Sequence, residues 1–103
     1  MTQVYTNCGA FEINEIAMMP PVGYGIYTID VNYKFYFRNI TAEINQQYIA
    51  KHECRKYHYS IEMVSEKVSI INGIYDNETI KELFSAISDS IEIIGEYVKK
   101  ECF

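Results

Sequence analysis

The sequence predicts an α+β fold: an antiparallel sheet of three to five strands packed against a long C-terminal amphipathic helix, with one shorter helix. Two patterns carry this prediction. From Tyr27 to Phe37 the side chains alternate, with Tyr27, Ile29, Val31, Tyr33, Phe35 and Phe37 on one side and Thr28, Asp30, Asn32, Lys34 and Tyr36 on the other. That period of two marks a strand with one buried face. From Ile80 to Val98 the residues Ile80, Leu83, Phe84, Ile87, Ile91, Ile94 and Val98 recur at intervals of three and four, which gathers them on one side of a helix.

Taken in order, Val4–Met19 is ambiguous. Phe11, Ile13, Ile16 and Ala17 fit one side of a short helix ending before Pro20, with an irregular strand as the alternative. Pro20-Pro21-Val22-Gly23-Tyr24-Gly25 reads as a loop, because neither proline can donate a backbone hydrogen bond. The alternating segment Tyr27–Phe37 is one long strand or a hairpin turning near Asp30–Asn32. Thr41–His52 reads as the shorter helix, since Ile40, Ile44 and Tyr48 recur every four residues and Asn39 or Thr41 can cap its start. Tyr57–Asn72 reads as a hairpin with Ser65-Glu66 in the turn, which places Met63 opposite Val68 and Ile61 opposite Ile70. A helix ending at Asn72-Gly73 is the alternative there. Asp76 or Asn77 caps the last helix, which runs to Lys100, with Gly95 expected to mark a bend or early fraying.

The 103 residues fit one domain, 1–103. Hydrophobic residues make up 49% and charged residues 22%, proportions that suit a folded core and not a disordered chain. Fourteen acidic residues against nine basic give a net charge of −5. Tracking phosphates needs clustered Lys and Arg, so direct nucleic-acid binding is not expected, nor is attachment to an anionic membrane. No apolar run reaches the roughly 20 residues of a membrane span. Met1–Tyr5 shows no basic region leading into an apolar stretch, so no secretory signal is read there and a cytoplasmic location is expected. Cys8, Cys54 and Cys102 are then read as free thiols. The sequons at Asn39 and Asn77 carry little weight without secretion.

Three groups of residues are candidates for function. The first is Glu78, Glu82, Asp89, Glu92 and Glu96, which fall within roughly 40° of one line on the helix, opposite the apolar stripe. Such a face meets a basic groove on a partner, or is the solvated side that any helix of this kind must have. The second is tyrosine: ten residues and no Trp. Tyr pairs a large ring with a polar tip and suits interfaces, and Tyr36 and Tyr97 are the two assigned to partner binding. An AT-rich gene would also supply many Tyr, Ile, Asn and Lys codons.

The third group is Lys51–His58, which holds both histidines and four of the nine basic residues. His52 and His58 are a possible base and acid for RNA cleavage, with Arg55 or Lys56 at the phosphate. Alternatively His52, Cys54 and His58, completed by Cys8 or Cys102, are possible zinc ligands. Neither spacing matches a recognised pattern, and a charged junction at a helix C-terminus explains the same residues. The chain has no G-x-S-x-G, H-E-x-x-H or P-loop. Gly23-Tyr24-Gly25 lacks the third glycine of a dinucleotide fingerprint. No metal, cofactor or catalytic residue is assigned.

The resulting expectation is a small acidic inhibitor that binds a larger, cationic protein and covers its working surface, acting as monomer or homodimer. Immunity proteins that neutralise nuclease toxins are one such class, and phage-encoded anti-defence (anti-CRISPR-like) inhibitors are another. Two rivals stand beside it: a small nuclease using His52 and His58, and a self-associating structural subunit that pairs through a strand edge or a Tyr-rich face.

Overall fold

A computed structural model describes residues 2–6, 9–21, 23, 25–53 and 58–103, without the side chains of Thr2, Thr6, Glu53 and His58. Five strands, β1 (Thr2–Thr6), β2 (Gly9–Met18), β3 (Ile26–Phe37), β4 (Ile40–Glu53) and β5 (His58–Asn72), precede one helix, α1 (Asn77–Cys102). The strands form one antiparallel sheet in the order β1-β2-β3-β4-β5, so each pairs only with its neighbours in sequence. The fold is α+β, with α1 lying over one face of the sheet.

The alternation in Tyr27–Phe37 forms a single uninterrupted strand, without a turn at Asp30–Asn32. Its inward residues Ile29, Val31, Tyr33, Phe35 and Phe37 are buried. They pair in register with Tyr48, Gln46, Ile44, Ala42 and Ile40 of β4. A two-residue turn at Arg38-Asn39 joins the two strands, with Arg38 in the left-handed region at φ 56°.

Three expectations are corrected. Thr41–His52 belongs to β4 and is not a helix, and α1 is the sole helix among the described residues. The four-residue spacing of Ile40, Ile44 and Tyr48 is also a multiple of two. Ala42, Gln46 and Ala50 complete the buried set, but as small or polar residues they do not register as hydrophobic alternation. Val4–Met19 is not a helix; the alternative of an irregular strand holds for Phe11, Ile13, Ile16 and Ala17, which all lie on β2, while Val4–Thr6 belongs to β1. A register shift between Ile13 and Glu15 breaks the alternation of β2, so Phe11 and Ile13 face inward at odd positions while Ile16 packs against the core from an even one.

Tyr57–Asn72 is not a hairpin, nor is it the alternative helix. His58–Asn72 is one strand of 15 residues. Its register with β4 shifts between Gln47 and Tyr48, where Val64 is the extra residue, as in a β-bulge. Inward positions therefore change from Tyr59, Ile61 and Met63 to Glu66, Val68 and Ile70. That reversal of parity produces the mirror-like pattern which the sequence presents as two strands folded back on each other.

The C-terminal helix forms as expected and runs through Gly95 to Cys102. Gly95 is buried against the Tyr48 ring. Leu83, Ala86, Ile87, Ser90, Ile94 and Val98 are also buried, and they close a core whose sheet side is aromatic, with Phe11 stacked on Phe35 at 4.4 Å. Gly73 (φ 120°) leads from β5 towards α1, and a Cβ there would run into the carbonyl oxygen of Asn39 and come within 2.9 Å of Ile40 Cα. Only glycine meets both the backbone angle and the close approach.

Asp76 caps α1 by accepting hydrogen bonds from the Thr79 amide (2.8 Å) and hydroxyl (2.7 Å). Those bonds hold its carboxyl below the usual aspartate range. A lowered folded-state value makes the cap fully effective at neutral pH and weakens it as the pH falls through that value. Asp76→Ala is therefore expected to lower the thermal midpoint at pH 7, with a smaller difference from wild type at acidic pH, as read by circular dichroism melts at the two pH values.

Candidate functional site

The outer side of α1 is built by helix periodicity alone. With the apolar residues turned to the sheet, Glu78, Glu82, Asp89, Glu92 and Glu96 are all exposed. At about 1.5 Å per residue the row is roughly 27 Å long. Among the described residues Glu82 alone of the five forms an ion pair, with the Arg38 guanidinium of the β3–β4 turn. The same guanidinium lies 5.0 Å over the Phe37 ring. That contact ties one end of the acidic row to the sheet and leaves the other four carboxylates facing solvent.

The two assigned tyrosines do not join this row. Tyr36 is exposed on the opposite face of the sheet, where its hydroxyl donates to Glu12 (2.6 Å). This bond keeps the phenol protonated to higher pH than usual. Tyr97 is half-buried and packs against the core. The structure thus brings the five carboxylates together and leaves Tyr36 and Tyr97 apart from them and from each other.

The uncovered sheet face is polar. The Asn45 amide donates to Asp30 (2.8 Å) and Asn32 (2.8 Å) across three strand positions. Beside it lies an open hollow of about 320 Å³ lined by residues including Asn14, Asn32, Glu43, Asn45 and Lys67. Between α1 and the edge strand β5 runs a second depression of about 260 Å³, bounded by Tyr48, Ile61, Met63, Ile91 and Gly95 and rimmed by Glu92 and Glu96. The reading of Tyr57–Asn72 as a self-contained hairpin concealed this groove, because a hairpin would have given β5 a partner strand on that side.

A polar chain crosses the core beneath the helix. The Tyr48 hydroxyl donates to Gln46 (2.6 Å), and the Gln46 amide donates to Glu66 (2.6 Å). Gln46 is 0% exposed. Nearby Tyr33, 1% exposed, has a hydroxyl with no hydrogen-bond partner among the described residues. Burial raises both phenols well above their ordinary value, and the Glu66 charge adds to each shift. The sequence signalled this chain only through Gln46, a polar residue on a face otherwise filled by apolar ones.

Further along the β4–β5 pair, His52 is half-buried with its ring 5.0 Å from Tyr59. Phe103 stacks on Tyr59 at 3.7 Å and meets Tyr27 edge-on at 5.7 Å. In register Glu53 pairs with His58 and His52 with Tyr59. The His58 side chain, Cys8 and Cys54–Tyr57 lie outside the described residues, and with them the geometry on which the nuclease and zinc readings depend. Among the described residues no group of three His, Cys, Asp or Glu side chains is placed to hold a metal ion. Cys102 is a free, half-buried thiol whose ionisation burial pushes up. No described helix is long and apolar enough to cross a membrane.

The chain matches no protein-family model, no curated protein and no solved structure. Any functional reading therefore rests on the geometry above.

Proposed function

We propose that this chain is a small inhibitory binding protein that lays the outer face of α1 on a cationic surface of a larger protein, as immunity proteins and phage anti-defence inhibitors do. The observation that carries the reading is the exposed row of Glu78, Glu82, Asp89, Glu92 and Glu96, four of which have no ion-pair partner among the described residues. A rigid helix seated on a five-stranded sheet presents its charges preorganised, so little conformational entropy is lost on docking. The net charge of −5 speeds encounter with a basic partner.

Affinity capture from host lysate at low and then moderate salt tests this. One stoichiometric basic protein, released by salt, is the expected result. Because Glu82 also bridges Arg38, the variant to compare is Asp89→Lys/Glu92→Lys/Glu96→Lys. It should slow association with the captured protein by on the order of tenfold or more at low salt. Affinity and association rate unchanged by the triple reversal would remove the helix face from the function.

A further inference from the structure

β5 is the long free edge of the sheet, at 15 residues against five in β1. Its inward residues Tyr59, Ile61, Met63, Val68 and Ile70 are only half-buried, whereas Ala42, Ile44, Tyr48 and Ala50, the β4 partners of all but Tyr59, are buried. Phe84 of α1, two turns before Ile91 and on the same side of the helix, is 47% exposed. An apolar margin thus runs along this edge, and its strand is bulged at Val64.

The bulge fixes the register in which a second copy of β5 can pair there. Ser60 and Glu62 point to the uncovered face before it, and Ser65, Lys67 and Ser69 do so after it. A regular strand keeps matching faces along both halves of β5 only by shifting register opposite Val64, as β4 does on the other side. A second copy of β5 carries the same reversal. Run antiparallel about a two-fold axis between Val64 and Ser65, it sets Tyr59 against Ile70, Ile61 against Val68 and Met63 against Glu66 on the helix side. On the uncovered side it sets Ser60 against Ser69 and Glu62 against Lys67. This axis position keeps every pair from Tyr59 to Ile70 on matching faces, and shifting it by one residue does not. It also places opposite charges together twice by symmetry, and Glu66 already directs its carboxylate to Gln46 of its own chain.

We propose that two copies of this chain associate through their β5 edges into a two-fold dimer with one continuous ten-stranded sheet. The axis stands perpendicular to the sheet, so both α1 helices lie on the same side, with their Phe84 and Ile91 flanks turned toward each other. An isologous interface of this kind closes on itself and leaves no β5 edge free. The proposal does not depend on the inhibitory reading, since it concerns the chain alone.

Sedimentation equilibrium of the purified chain tests it. The expected result is a species of twice the 12.0 kDa chain mass that dissociates on dilution. Glu62→Lys and Lys67→Glu should each weaken the dimer by on the order of tenfold, because two cross-strand pairs become repulsive. The double variant Glu62→Lys/Lys67→Glu should recover wild-type association. Both side chains are exposed, and circular dichroism should show the fold unchanged in all three. A monomer at every concentration up to the solubility limit would overturn the proposal. So would a dimer indifferent to both single reversals, or single losses that the double variant does not rescue.

Discussion

Stability at pH 11 is expected to lie roughly 3 kcal/mol below that at pH 8, from Tyr33 and Tyr48 alone. Both phenols are buried, and burial raises the pH at which each would ionise in the folded chain. In the unfolded chain each ionises near the ordinary tyrosine value of about 10. A group whose folded value is raised contributes its full stability below the unfolded value. As the pH climbs past about 10, each residue then costs on the order of 1.4 kcal/mol per pH unit, because only the unfolded state gives up its proton. Urea midpoints at pH 8, 10 and 11 measure this directly. Tyr33→Phe should reduce the alkaline loss by about half, and it should also raise stability at pH 8 by roughly 1 kcal/mol, since it removes a buried hydroxyl that has no partner among the described residues. Equal alkaline losses in wild type and Tyr33→Phe would show that Tyr33 is solvated.

Phe35→Ala is expected to cost about 3–5 kcal/mol, which is much of the stability a small domain has. Phe35 is 0% exposed. Its ring stacks on Phe11 at 4.4 Å and lies 5.8 Å from Phe37. Gly9 admits the ring so closely that a Cβ there would come within 2.5 Å of it. A site enclosed by stacked rings and paired backbone cannot collapse to fill the space, so the cavity cost falls at the high end. Tyr36→Ala, one residue along and on the other face of the sheet, should leave the urea midpoint close to wild type. Similar losses in the two variants would mean that the faces of β3 are not distinguished in solution.

The parts of the fold legible in the sequence are those where one periodicity holds without interruption. β3 has no bulge and fills its inward positions with large side chains, so its alternation is plain. α1 repeats at three and four residues for about five turns, and the single glycine within it does not interrupt it because Tyr48 fills the space above. β4 was misread because a spacing of four serves both a helix and a strand, and Ala42, Gln46 and Ala50 supplied no apolar signal to separate them. β2 and β5 were obscured by bulges at Asn14 and Val64, where one extra residue reverses which positions face inward. The acidic row was legible because it follows from helix geometry. The groove beside β5 was not, since it depends on which strand ends the sheet, and no local pattern encodes that order.

The strand order also shapes the way the chain reaches its fold. Each pairing joins consecutive segments, so a strand emerging during synthesis finds its partner already present, and the loops to be closed are short. The sheet can extend one strand at a time in the order the ribosome delivers them. Its cover arrives last. Until the final 26 residues have wound into α1, the aromatic face of β2, β3 and β4 has nothing over it. In that interval a nascent chain presents Phe11, Tyr33 and Phe35 to solvent, and a holding chaperone would find its binding surface there.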